Sequence, residues 1–268
     1  MQFIDTHCHL DAAEFGNTQE SLVQDALTAG VGTIVIPSVA RANFSIVKTL
    51  CERHPACVPA FGIHPMYVDQ AQPHDLLVLR EYVLQHQPVA VGEIGLDFYV
   101  ENFDQEKQEF YFSEQLKLAR EFNLPVLLHV RKAQDTILKH LRRIPVRGGI
   151  AHAFNGSPQQ AAEFIKLGFK LGFGGAMTYP RATRLRQLAA TLPLESIVLE
   201  TDAPDIPPEF LQRGQPNRPA NLPRIAETLA QLRNMPLEEI ARITSANAMA
   251  VLPGLKQAPN KSPLPPLC

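Results

Sequence analysis

Apolar and β-branched residues gather along the chain in short runs at 3–6, 33–36, 58–62, 89–93, 126–129, 149–152, 169–173 and 197–200. Runs of that length bounded by polar and turn residues predict strands. Between them, 21–29, 44–53, 76–85, 105–122, 133–143, 158–167 and 184–191 repeat their apolar positions at helical spacing. Strands that alternate with helices predict a parallel arrangement covered by helices. Eight such units favour a closed barrel, with an open doubly wound sheet as the competing arrangement. The expected fold class is therefore α/β, a single TIM (β/α)8 barrel. Helices over 221–233 and 236–251 follow the eighth strand and close it. The barrel domain is expected over 1–252 and a proline-rich C-terminal tail over 253–268, extended where 257–266 lacks any periodicity.

A chain of 268 residues suits one such domain better than two small ones. No apolar run approaches the roughly 20 residues of a membrane-spanning helix. The first residues hold no basic region leading into an apolar stretch, so the expected compartment is the cytoplasm, with no membrane association. Four cysteines, Cys8, Cys51, Cys57 and Cys268, are too scattered for a disulfide framework and are expected as free thiols. A net charge of −2 provides no broad basic face for gripping duplex DNA. A nucleic-acid substrate would be held locally, at an end or as a single strand. With no tryptophan, any base stacking falls to Phe, Tyr, His or Arg.

Candidate chemistry recurs at one position in the repeat, the C-terminal end of the predicted strands. His7 and His9 follow the first, His64 the third and Asp202 the eighth, while Glu93, His129 and His152 end the fourth, fifth and sixth. In a barrel these ends form one mouth. Residues i and i+2 of a strand share a face, so His7 and His9 form a chelating pair and Cys8 faces the helices. The competing reading is two polar residues in a turn. A carboxylate ending a buried strand needs a partner. Glu93, with two oxygens, can bridge two cations or pair with a Lys or Arg. Asp202 can ligate a metal or take a proton from an activated water, and Glu200 can orient histidines from behind. A mixed His/carboxylate set suits Zn²⁺, Mn²⁺ or Ni²⁺ better than Mg²⁺, although Mg²⁺ could support activity. Arg131 is a candidate phosphate contact, or else a salt bridge on the rim. Arg181 and Arg218 are weaker candidates of the same kind, and 172–175 could admit substrate to the backbone or form a tight turn.

His-x-His at His7 and His9, GIHP at 62–65, GEIGLDFY at 92–99, LLHVR at 127–131, HAFNG at 152–156 and ETDAP at 200–204 resemble the TatD family of metal-dependent deoxyribonucleases. The match runs in order over about 3–251, and the segments 174–181 and 215–219 resemble one bacterial branch of that family. The resemblance implies an amidohydrolase-type TIM barrel that removes nucleotides 3′-to-5′ from single-stranded DNA or nucleic-acid ends, with no obligate protein partner. It implies two divalent metal cations per subunit (Zn, Mn, Ni or Mg). His7, His9, Glu93 and Asp202 would hold one, and Glu93, His129 and His152 the other. His64 would face the scissile phosphate, beside Arg131, and Asp202, Glu93 and His64 would be catalytic. Two positions depart from the family pattern: Lys132 stands where many relatives carry Asp, and 216–219 lacks the usual Glu. Both bear on substrate preference. Cleavage of a small-molecule amide or of an aminoacyl-tRNA ester remains an alternative, as does a barrel without turnover. Many amidohydrolases bridge their metals with a carboxylated lysine, and Glu93 at that position favours the nuclease reading.

Overall fold

The computed structural model describes residues 2–257. Its strands are β1 (Phe3–Asp5), β2 (Val31–Pro37), β3 (Cys57–Ala60), β4 (Val91–Asp97), β5 (Val126–Arg131), β6 (Gly149–Ala151), β7 (Phe169–Phe173) and β8 (Ile197–Leu199). The long helices are α1 (Gln19–Thr28), α2 (Phe44–Arg53), α3 (Pro73–His86), α4 (Gln105–Glu121), α5 (Gln134–Arg143), α6 (Pro158–Lys166), α7 (Thr183–Thr191), α8 (Leu222–Arg233) and α9 (Leu237–Val251).

All strand pairs are parallel and follow chain order, β1-β2-β3 in one sheet and β4-β5-β6-β7-β8 in another. This sequential order has no switch point and is not that of a doubly wound sheet. The eight strands do not make one continuous ladder. At the first seam Phe61 bridges Val91, and the Gly92 amide donates to the Phe61 carbonyl over 2.9 Å. At the second, the Thr6 amide and hydroxyl both donate to the Leu199 carbonyl of β8.

Two layers of packing follow from the alternation of side chains along each strand. One apolar cluster lies between strands and helices and includes Ile34, Ile36, Val126, Leu128, Leu171 and Leu199. The other gathers Val35, Leu127, Ile150 and Val198 with Ala248, Val251 and Leu252 from the end of α9. Leu127, Ile150 and Val198 stand two residues before His129, His152 and Glu200. One set of strand positions therefore supplies an apolar floor and then polar groups above it. The residues Pro253–Gln257 form a further turn whose Leu255 joins this second cluster. The proline-rich segment 258–268 lies outside the described residues.

The fourth strand differs most from the sequence expectation. The apolar run suggests 89–93 with Glu93 at its end, whereas β4 continues to Asp97 and leaves Glu93 inside it. Gly92 and Gly95 interrupt the apolar run, yet the pairing Gly95↔His129, Leu96↔Val130 and Asp97↔Arg131 holds the segment in the sheet. A side chain at Gly95, whose φ is 150°, would collide with the His129 carbonyl. Glycine is what allows the two backbones to approach.

Phe61 sits at the first seam, fully buried, with Tyr82 and Phe44 rings 5.3 and 5.8 Å away. Phe61→Ala should destabilise the protein by about 3–5 kcal/mol, read as a lowered urea midpoint at unchanged slope; a loss below about 1 kcal/mol would contradict this packing.

Candidate metal centre

His7 and His9 lie just past β1, where the chain stays extended between β2 and the segment after β8. The Cys8 amide donates to the Val35 carbonyl, the Asp202 amide to His7 and the His9 amide to Ala203. Asp5, wholly buried, fixes the same junction by accepting from the Thr201 amide at 2.9 Å and the Thr201 hydroxyl at 2.6 Å. Burial pushes its carboxyl up to about 7 against these hydrogen bonds. Asn217, also buried, donates to the Thr201 and Ile206 carbonyls and accepts from the Arg218 amide and the Asn221 side chain. Asn217 thus pins the loop that carries Asp202, whose φ of 55° is one that few non-glycine residues adopt. The 216–219 segment lacks the family's Glu, and its Asn holds this structural role through contacts that sequence spacing does not reveal.

Seven side chains converge. Glu93 is 1% exposed and its two oxygens face different partners. Its Oε2 lies 3.0 Å from His7 Nε2 and 3.4 Å from His9 Nε2. Those two nitrogens are 3.2 Å apart, and each is 3.7 Å from Asp202 Oδ1. The other oxygen, Oε1, lies 3.1 Å from His129 Nδ1, 3.3 Å from His152 Nε2 and 3.4 Å from His64 Nε2. No Lys or Arg pairs with Glu93 among the described residues, so the competing ion-pair reading has no partner.

These separations fit a cation. Ligands about 2.0–2.1 Å from a tetrahedral ion stand about 3.3 Å from one another. His7, His9 and Asp202 form one such group, and Glu93 Oε2 stands 3.0 and 3.4 Å from its two imidazole nitrogens. Burial lowers His7 to about 3, leaving it the neutral imidazole a metal requires. Against burial, Glu93 and Asp202 raise His9 to about 9, and Asp202, Glu93 and Glu200 raise His152 to about 10. Without a cation, these carboxylates hold protons on the imidazoles instead.

Hydrogen bonds on the far side of the ring set the tautomer of His129 and of His64. His129 Nε2 lies 2.9 Å from Asp97 Oδ2, which leaves Nδ1 as the lone pair facing Glu93. His152 turns Nε2 inward, and its Nδ1 stands 3.5 Å from Glu200 Oε1 without a formed hydrogen bond, that oxygen accepting the Ala153 amide. This is the usual arrangement of carboxylates behind ligating histidines. His64 is the reverse. Its Nδ1 accepts the Met66 amide at 3.2 Å, so in the neutral ring the proton sits on Nε2, the atom facing Glu93. His64 thus falls within the distance of a ligand while presenting a donor. Asp97 appeared in the sequence only as part of a motif; its spacing of four from Glu93 along one strand was the available signal.

The centre opens on a cleft of about 1070 Å³ that His9, His64, Glu93, His129, His152 and Asp202 share with Arg131. Arg131 is half exposed, with Nη1 3.9 Å from Asp97 Oδ2. Arg181 lies over the Tyr179 ring and Arg218 is exposed, and neither lines the cleft. The 172–175 run does not line it either. A side chain at Gly172 would strike the Glu200 carboxylate and one at Gly175 the Ile206 carbonyl, so these glycines make room for protein, not substrate. Cys8, Cys51 and Cys57 are free thiols and Cys268 lies outside the described residues. No described helix is long and apolar enough to cross a membrane.

Convergent imidazoles and carboxylates that remain open to a cleft are the arrangement of a hydrolytic metal centre, since structural sites enclose the ion with protein ligands. The chain belongs to the TatD-related DNase family, whose profile matches residues 4–253, and it is a metal-dependent hydrolase of that family. It is 44% identical to the uncharacterized metal-dependent hydrolase YjjV of Escherichia coli K12 over 90% of this chain and 94% of that protein. An uncharacterized metal-dependent hydrolase of Haemophilus influenzae is 38% identical over 94% and 99%. The crystal structure of E. coli YjjV superposes with a TM-score of 0.90 at 41% identity, covering 94% of this chain and 98% of that one.

Ligation needs neutral imidazoles, while His9 and His152 carry protons at pH 7 in the metal-free protein. Metal uptake at pH 7 should therefore release protons and weaken as the pH falls. Titration calorimetry with Mn²⁺ in buffers of different ionisation heat should show this release; a binding heat independent of the buffer would contradict it.

Proposed function

We propose that this chain is a deoxyribonuclease that removes nucleotides from the 3′ end of single-stranded DNA, using two divalent cations at the mouth of a (β/α)8 barrel closed across the two seams. The observation that carries the reading is the division of Glu93 between two donor sets, one oxygen toward His7 and His9 and the other toward His129 and His152. His7, His9, Glu93 and Asp202 would hold one cation, and Glu93, His129 and His152 the second. When bound, such a pair activates water and neutralises charge on both sides of an in-line displacement at phosphorus. The donor types suit Zn²⁺, Mn²⁺ or Ni²⁺. The family's description as a DNase supports a phosphodiester as the scissile bond.

The chain's own groups divide the remaining work. Asp202 closes the first donor set and lines the cleft, where its carboxylate accepts the proton that the attacking water loses. His64, lowered to about 4 by burial, stays neutral and donates from Nε2 to a non-bridging phosphate oxygen. Its tautomer suits that task and not ligation, which keeps it apart from the metal ligands despite its 3.4 Å distance from Glu93. Arg131, on the cleft wall, receives the substrate's negative charge. Asp97 holds His129 in the orientation that ligation requires, and the Glu200 carboxylate stands 3.5 Å behind His152.

Purified protein supplied with Mn²⁺ or Mg²⁺ should shorten a 5′-labelled single strand from its 3′ end. Asp202→Asn should lower kcat by about 10²–10⁴-fold with a smaller change in KM. Unchanged turnover removes Asp202 from the chemistry, and no cleavage with any of these metals refutes the nuclease reading.

A further inference from the structure

The cleft is not electrically uniform. The wall formed by the loops after β1 and β8 presents Asp11, Glu14 and Asp205. Counting the two seams, β5 stands across the strand order from β1; it ends on Arg131, which lines the cleft, and Lys132 follows it. An anionic chain leaving the metal centre is repelled from the first wall and attracted to the second.

Arg131, Tyr99 and Lys132 form one cluster, of which Arg131 lines the cleft. Arg131 Cζ lies 3.9 Å and Lys132 Nζ 4.6 Å from the centroid of the Tyr99 ring, both within cation–π range. Consecutive strand residues ordinarily point to opposite faces. Lys132, with a φ of 54°, breaks the alternation, so both cations reach one ring. That left-handed backbone is disfavoured for a lysine, and it turns the ammonium to the ring that Arg131 also covers. Tyr99 itself is 53% exposed and serves no core. Asp97 is the one carboxylate within 4.0 Å of Arg131 among the described residues, and Lys132 has none. Both cations thus keep charge available for a ligand.

The cations are also tied to the metal centre. Asp97 accepts the Tyr99 amide at 2.9 Å and His129 Nε2 at 2.9 Å, with Arg131 Nη1 3.9 Å away. A single carboxylate therefore binds His129 and the Tyr99 backbone and stands near Arg131. A phosphate bound at Arg131 and Lys132 would lie beside the one being cleaved.

We propose that Arg131 and Lys132, held on the Tyr99 ring, form a subsite for the phosphate that neighbours the scissile one on the retained part of a DNA strand. This rests on the phosphodiesterase reading above. Tyr99 is a positioning residue, and Lys132 supplies charge that a small substrate with one phosphate cannot use.

The test compares a single-stranded octanucleotide with bis(p-nitrophenyl) phosphate, which has no second phosphate, on Mn²⁺-loaded enzyme. Lys132→Gln and Tyr99→Leu should raise KM for the oligonucleotide about five- to tenfold with a smaller change in kcat. Their loss on the small diester should be less. The slope of log affinity against log salt should flatten by about 0.7 for Lys132→Gln, the share of one single-strand phosphate contact. Tyr99→Phe, which keeps the ring, should restore the oligonucleotide KM. An unaltered KM and salt slope in Lys132→Gln overturns the subsite, as does a Tyr99→Phe enzyme as impaired as Tyr99→Leu. Wild-type enzyme that cleaves the small diester but no oligonucleotide also overturns it, while phosphodiester chemistry stands. Cleavage of neither substrate fails the underlying reading and the subsite together.

Discussion

The burial of one carboxylate, Glu93, governs the arrangement of the mouth. A carboxylate at 1% exposure is tolerated only with compensating partners. Among the described residues, the five basic side-chain nitrogens within 4.0 Å of it all belong to imidazoles, from His7, His9, His64, His129 and His152. Burial alone would raise Glu93, yet the surrounding histidines hold it well below the ordinary carboxylate range. The backbone fixes it as firmly: the Glu93 amide donates to the Ser38 carbonyl of the segment after β2, next to the seam at Phe61 and Val91. Residues from both sheets therefore meet at this one side chain.

Around Glu93, polar support is shared among groups that touch no substrate. Asp5 and Asn217 secure the segment that presents Asp202, from opposite sides of Thr201. Asp97 and Glu200 stand behind His129 and His152. Asp97 also contacts the Tyr99 amide and stands 3.9 Å from Arg131, so one carboxylate touches both the His129 ring and the basic cluster.

Much of this was legible in sequence because strand side chains alternate with a period of two. The His7–His9 spacing and the pairs Leu127/His129, Ile150/His152 and Val198/Glu200 all follow from it. The competing reading of Glu93 as a Lys or Arg partner dissolved once its neighbours were seen to be histidines. Less legible were features that depend on pairing between distant segments. The length of β4 is set by its register with β5, which glycines in its own sequence conceal. The division of the strands into sheets of three and five is a matter of local register at Phe61 and Thr6, on which hydrophobic patterning is silent. The role of Asn217 depends on contacts with Thr201 and Ile206, 16 and 11 residues away. The tautomer of His64 depends on one backbone amide two residues on.

The central claim, that Glu93 joins two cations, is tested most directly by anomalous scattering from crystals grown with Mn²⁺. The account predicts two peaks about 3.5–4 Å apart, each bonded to a different Glu93 oxygen, one among His7, His9 and Asp202 and the other among His129 and His152. A single peak, or two peaks of which only one touches Glu93, would contradict it.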